Sequence, residues 1–264
     1  MRWHWFGSFT LVLLAAHQTA ANIIRVPEDV ATVQAGLDRV AANDTLLLQA
    51  GVYEEVLIAP ALRFWIIGSI VNDSTGTTRT QIDATEVSDA DTTAALLLPP
   101  NASVRIEEVD FRNISGRGIR SWADSIIMQG SRVDSVVEGL RQMEANTGAH
   151  IELHRCTFRN NLQRCLSGRP GNFVDAELCI FSGGSGDLPL VDAHRSRLRS
   201  CQFSSSSRIS LLILGGGPHV VSGCTFGPVT TRAFSSAVRA ENSAIRCENN
   251  VFSSCIYGYA ALDI

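Results

Sequence analysis

In the stretch PLVDAHRS, Asp192 and His194 stand two residues apart on a segment that reads as a strand, so their side chains share one face. A carboxyl beside an imidazole is a pair suited to moving protons, with either group as acid or base. Arg169 falls one repeat before Asp192, and Arg239 two repeats beyond His194 with Glu241 beside it. If the repeats stack, these five residues line one outer groove, and acid–base chemistry on a sugar is within its means. Other chemistries are closed. No lysine occurs among the 22 cationic residues, so a lysine nucleophile or Schiff base is excluded. No acidic run has the spacing of a calcium loop. A net charge of −4 gives no electrostatic case for nucleic acid.

What positions such a groove is visible in a repeat. Cys-x-Phe occurs as CTF at 156–158, CIF at 179–181, CQF at 201–203 and CTF at 224–226. Successive phenylalanines are 23, 22 and 23 residues apart (158, 181, 203, 226). VRIEEVDFRN superposes without a gap on IELHRCTFRN, matching Val104 to Ile151, Ile106 to Leu153, Val109 to Cys156 and Phe111 to Phe158. IIMQGSRV places Ile126, Met128, Ser131 and Val133 in the same frame, and AIRCENNVF places Ile245, Cys247, Asn250 and Phe252 there.

One period of about 22–26 residues holds two or three short strands and cannot bury its own apolar side chains. Stacked coils can, each strand pairing in parallel with its equivalent about 4.8 Å along the axis. Cys and Phe are then two inward columns of a parallel β-helix. Where the Cys column carries Ser131 or Asn250, a short polar side chain can hydrogen-bond the backbone of a bend. A propeller blade needs roughly twice this period, and a leucine-rich repeat needs a Leu-x-x-Leu-x-Leu pattern that is absent. The stacked cysteines read as buried thiols, because parallel Cβ vectors do not suit a disulfide torsion.

The N-terminus reads as a secretory signal over residues 1–21, with Arg2, an apolar run from about Phe9 to Ala16, and small residues before the cut. No later run is long and apolar enough for a membrane helix. The segment from Ile23 begins as a strand, then carries Val30, Val33, Leu37 and Val40 on one helical stripe, predicting a helix that ends at Asn43-Asp44. The expected domain is therefore 22–264, of eight or nine coils. YGYAALDI reads as a strand with nothing after it to cover the coil end, which predicts further coils, another domain or a partner beyond Ile264.

VPEDVATVQAGLDRVAANDTLLLQAGVYEE resembles the N-terminal cap and first coil of the pectin-methylesterase/pectate-lyase-like right-handed β-helix superfamily. The matching residues are Val26, Pro27, Thr32, Val33, Gln34, Asp44, Thr45, Gly51, Tyr53 and Glu55; Gly36 stands where that helix has Ala and Asn43 where it has Gly. The resemblance implies an all-β, right-handed parallel β-helix with an N-terminal capping helix. It implies an exported or surface protein whose partner is an extracellular polysaccharide. The esterases of that superfamily use two Asp, from Q-D-T and D-F-I-F-G, and an Arg in L-G-R-P-W. Here Asp110-Phe111 shares two letters with the second, and LSGRPG (166–171) is a broken form of the third. The hydrolases' Gly-His-Gly has only GPHVV near it, at His219. The expectation is a glycan-binding β-helix without recognisable catalytic motifs. The alternatives are a lyase, hydrolase or pectinesterase-like enzyme with a divergent site, and a structural or adhesive stalk. No cofactor is expected, calcium only if the chain is a lyase.

Overall fold

The computed structural model describes residues 21–85, 94–113, 116–143, 148–184, 188–205, 209–215, 218–227, 236–254 and 257–262. Residues 1–20, all but the last of the segment that reads as a secretory signal, and the residues flanking these spans lie outside them. The chain is a parallel β-solenoid. Three sheets run the length of the axis, and the chain visits them in turn. The first begins at Ile23–Val26 and ends at Ala244–Glu248; the second runs from Gly51–Tyr53 to Val251–Phe252; the third runs from Leu57–Ile58 to Tyr257–Leu262. The third sheet has nine strands, one for each coil.

The repeat frame is the register of the second sheet. Tyr53, Ile82, Phe111, Val133, Phe158, Phe181, Phe203, Phe226 and Phe252 pair in that order. From Phe158 onward the rings stack with centroids 5.4, 5.2, 4.7 and 5.1 Å apart. In the first sheet, Phe64, Val104, Ile126, Ile151 and Val174 form one inward column and Ile66, Ile106, Met128, Leu153, Ala176 and Leu198 the next. Strand residues alternate buried and half-exposed, so one face of each strand builds the core and the other the surface.

The Cys column sits at the corner between the first and second sheets. The residue before it has positive φ in every coil from the third on: Glu108, Gly130, Arg155, Leu178, Ser200, Gly223 and Asn249. This one-residue left-handed bend turns the chain and leaves room beneath it for a compact side chain. Cys156, Cys179, Cys201 and Cys224 are buried thiols, each sulfur within 3.3–3.5 Å of the carbonyl oxygen two residues before it. The polar exceptions serve the bend as expected. Val109 N–H donates to Ser131 Oγ at 3.2 Å, and Asn250 takes the Cys224 N–H at 2.8 Å while donating to the Val221 carbonyl at 2.9 Å.

The predicted N-terminal helix is shorter than its stripe. It spans Val33–Leu37 only, with Val33 and Leu37 buried. The Asp44 carboxylate accepts from Ala41 N–H (2.8 Å) and Asn22 N–H (2.7 Å), which holds residues 41–44 in a turn and stops the helix short. Several residues that carry the family resemblance stitch this first coil. Glu55 accepts from Val33 and Gln34 N–H at 2.9 Å each, Thr32 Oγ1 accepts from Ala35 N–H at 3.1 Å, and the Gln34 amide pairs with both backbone groups of Ile58. The Gly36 that replaces Ala has a reason too: a Cβ there would lie 2.5 Å from Leu46 Cδ1.

One core column becomes polar. After Val174 the same inward position is Ser196, and its partner one coil on is His219, each 1 % exposed. His219 Nε2 lies 3.1 Å from the Gly215 carbonyl, so Nε2 carries the proton, and Nδ1 accepts from the Ser196 hydroxyl at 3.2 Å. Both buried groups are satisfied by this one tautomer. Ser196→Ala, which strands Nδ1, is expected to cost about 1–2 kcal/mol in urea unfolding at pH 8.

Candidate functional site

The third sheet positions the groove. Its strands pair Arg120 with Arg141, Arg141 with Ser167, Ser167 with Asp192, Asp192 with Leu212 and Leu212 with Arg239. These residues form one outward column. A parallel one, two residues on, holds Trp122, Met143, Arg169, His194, Leu214 and Glu241; Leu214 pairs with Glu241, and Gly168 N–H bonds the Asp192 carbonyl at 2.8 Å, which sets Arg169 against His194. A third column brings in Arg117, Glu138 and Arg164.

Between them lies an open cleft of about 450 Å³, with Glu138, Arg141, Arg164, Arg169, Asp192 and His194 along it and Pro170, Leu188 and Leu214 as its apolar ledge. Asp192, His194 and Arg169 do come together, as the repeat count anticipates. Arg239 and Glu241 do not line this cleft. They pair with each other at 2.7 Å, separated from it by the coil of Leu212 and Leu214. The count places Arg239 in the row of His194; the register places Arg239 in the row of Asp192 and Glu241 in that of His194. Asp110 lies on the second sheet, on a different face. His219 points into the core.

Sequence reasoning misses Glu138, Arg141 and Arg164, which complete the cleft. Each lies outside the Cys-x-Phe frame, in third-sheet strands whose pairing only the register supplies. LSGRPG, the broken form of the arginine motif, contributes Ser167, Gly168, Arg169 and Pro170 to the cleft lining, and Pro170-Gly171 make a turn.

The charges of the cleft sort its two carboxyls. Burial pushes Glu138 up, but hydrogen bonds from Arg117 Nε (2.8 Å) and Arg141 Nη1 (3.0 Å) outweigh it, and the group stays below the usual carboxylate range. Burial pushes Asp192 to about 6, against the opposing pull of Arg164 and Arg169 and with a further push from Glu241. Its Oδ2 accepts from Arg164 Nη1 at 3.2 Å, while Oδ1 is buried without a partner among the described residues. Burial, then Arg169, pushes His194 down, so its ring is neutral at pH 7. Burial, then Arg117 and Arg141, pushes even Arg120 down, the mark of a crowded positive field. Arg120 lies over the Trp122 ring at 4.7 Å.

Arg117 and Arg141 thus reach Glu138, Arg164 reaches Asp192, Arg169 lines the cleft beside them, and Arg120 lies in the same positive field. The half-buried Trp122 gives this positive surface a flat apolar end. Among the described residues no group of three or more His, Cys, Asp or Glu is arranged to hold a metal ion.

No protein-family model matches the chain, and no curated protein matches it. Some solved structures resemble it in part. One is tailspike protein gp49 of Acinetobacter baumannii bacteriophage Fri1, a capsular polysaccharide depolymerase, with TM-score 0.48 and 13% identity over 89% of this chain and 55% of that one. Another is ORF18 of Geobacillus virus E2, with TM-score 0.48 and 12% identity over 88% of this chain and 58% of that one. A third is an alginate lyase from Paenibacillus sp. str. FPU-7, with TM-score 0.43 and 9% identity over 91% of this chain and 97% of that one. The chain spans a little over half the length of the two phage proteins.

Proposed function

We propose that the protein is an exported, right-handed β-solenoid that binds an acidic polysaccharide along the outer face of its third sheet. The observation that carries this reading is the gathering of Arg141, Arg164 and Arg169 in one open cleft with the Arg120–Trp122 stack in line. Guanidinium forks match carboxylate and sulfate groups, and an aromatic face takes the apolar side of a sugar ring. A groove that crosses several coils suits a polymer better than a compact metabolite. Right-handed winding is the expectation for parallel strands joined by crossovers. The short helix Val33–Leu37, with the strand before it, would cover the first coil, and residues 1–21 would direct export.

A second reading, catalysis, is favoured by one feature. Two carboxyls in one cleft have been pushed apart, Glu138 toward the anion and Asp192 toward holding a proton near pH 6. Such a division suits an acid and a base working on one bond.

A single panel tests both readings. Folded mature protein is incubated with neutral, carboxylated and sulfated polysaccharides, and retention and product masses are recorded. Binding predicts retention on the acidic polymers alone, lost with rising salt. Arg164→Gln is expected to weaken it about tenfold, the worth of one charge-assisted hydrogen bond. Shortened, unsaturated or de-esterified products would establish an enzyme, and Asp192→Asn should then abolish them. Equal retention on neutral polymers would overturn the reading.

A further inference from the structure

A second cleft, of about 420 Å³, lies on the outer face of the second sheet and is walled by an element that leaves the solenoid path. Ile70–Asp73 pairs antiparallel with Gly76–Asp83, so residues 70–79 form a hairpin beside that sheet. The hairpin is clamped at its base by Arg79. Its Nε donates to both oxygens of Asp110 (3.0 and 3.1 Å) and its Nη2 to Glu108 (2.9 Å) and the Gly130 carbonyl (2.7 Å). Arg79 is thereby consumed by structure, and so is Asp110.

The neighbouring charges are arranged as a checkerboard. Asp110 pairs across the ladder with Arg132, and Arg112 with Asp134. On alternation alone every arginine would have a carboxylate. The hydrogen bonds show otherwise. Asp134 is taken by Arg159 (2.6 Å), Asn160 (2.9 Å) and Ser135 (2.8 Å), and Asp83, on the other side of Arg112, by Gln81 and Thr85. The Arg112 side chain makes no ion pair or hydrogen bond among the described residues, and Arg132 has only Asp110, at 3.9 Å. Two guanidinium groups on adjacent coils therefore line one cleft with their carboxylate neighbours already occupied. Thr77, Thr78 and Gln81 line it with them, offering hydroxyl and amide groups at the scale of a sugar ring.

We propose that this cleft is a second ligand site, on a different face from the third-sheet groove, where Arg112 and Arg132 hold the carboxylate of an acidic sugar and the hairpin threonines meet its hydroxyls. The site does not depend on the third-sheet reading. Both could be occupied at once, which would give one molecule two attachments to a glycan matrix.

The test is an NMR titration of the arginine Nε–Hε signals with glucuronate, with inorganic sulfate as the anion without a ring. The expected result is saturable movement of the Arg112 and Arg132 signals with a millimolar dissociation constant. Affinity should fall at least about fivefold in Arg112→Gln and in Arg132→Gln. Arg164→Gln, on the other face, should leave the titration unchanged. Thermal unfolding of both second-sheet variants should match the parent, since neither arginine holds the fold. No saturable movement, or movement that persists in both variants, would overturn the site. Sulfate binding as tightly as glucuronate would overturn its assignment to a sugar. Movement lost in Arg164→Gln instead would return the effect to the third sheet.

Discussion

Phe181→Ala should lower unfolding free energy by about 4 kcal/mol, the upper part of the range for removing a fully buried aromatic ring. Phe181 is completely buried, and its ring lies between those of Phe158 and Phe203, 5.4 and 5.2 Å away at interplanar angles near 20°. The cavity cannot be filled from above or below, because both neighbours are fixed by their own strands in the ladder. In a solenoid each coil is held by its neighbours, so the lost ring weakens two interfaces. Phe252, in the same column, is a control. It is 38 % exposed and, among the described residues, stacks on one ring only, that of Phe226 at 5.1 Å. Phe252→Ala should cost roughly 1 kcal/mol. Urea unfolding of both variants decides the matter. Similar losses at the two positions would contradict the stacked-column account.

The second large effect is one of pH. Asp192 titrates near 3.8 in the unfolded chain and at about 6 in the folded one, because burial opposes its charge. Below pH 3.8 both states carry the proton and the group costs nothing. As pH rises past 3.8 the unfolded chain releases its proton first, and the folded state loses stability until the pH passes about 6. A rise of that size corresponds to roughly 3 kcal/mol. Asp192→Asn removes this cost while keeping an oxygen for Arg164. The variant should therefore gain on the parent between pH 4 and 7 and change little below that. His194 contributes the opposite trend, since its lowered value makes stability fall as pH drops below 6.5, but it does so in parent and variant alike. The difference between the two proteins isolates Asp192. A difference that stays flat from pH 4 to 7 would show that Asp192 is ordinarily solvated.

Most of the fold is legible because one side chain column repeats. Cys-x-Phe sets the second-sheet register and the adjoining bend; the matched Ile, Leu and Phe columns pair as aligned, and the cysteines stack at the bend between them. The hairpin Ile70–Asp73 with Gly76–Asp83 escapes that reading, although the run DSTG between its strands is a turn signal. It lies in the second coil, before the repeat becomes regular. The helix is overextended in sequence because Val40 stays buried beyond the helix end, just before the turn that Asp44 ties. The site is legible only in outline. Asp192 and His194 share a face by alternation alone. Arg164 escapes because third-sheet strands carry no repeating residue that numbers them, and a shift of one position moves a side chain from groove to core. Placing Arg239 in the wrong row has the same cause. What Glu138 and Asp192 do with their protons follows from which arginines reach them, and no spacing in the chain states that.

The most direct test of the third-sheet groove is an NMR titration of the folded protein with a carboxylated oligosaccharide at low salt, following the arginine side chains and the His194 ring. Saturable shifts of Arg120, Arg141, Arg164, Arg169 and His194, weakening as salt rises, are what the groove predicts, whether or not Arg112 and Arg132 move as well. Saturation without movement at Arg141, Arg164 and Arg169 would place the ligand elsewhere on the solenoid and contradict the account.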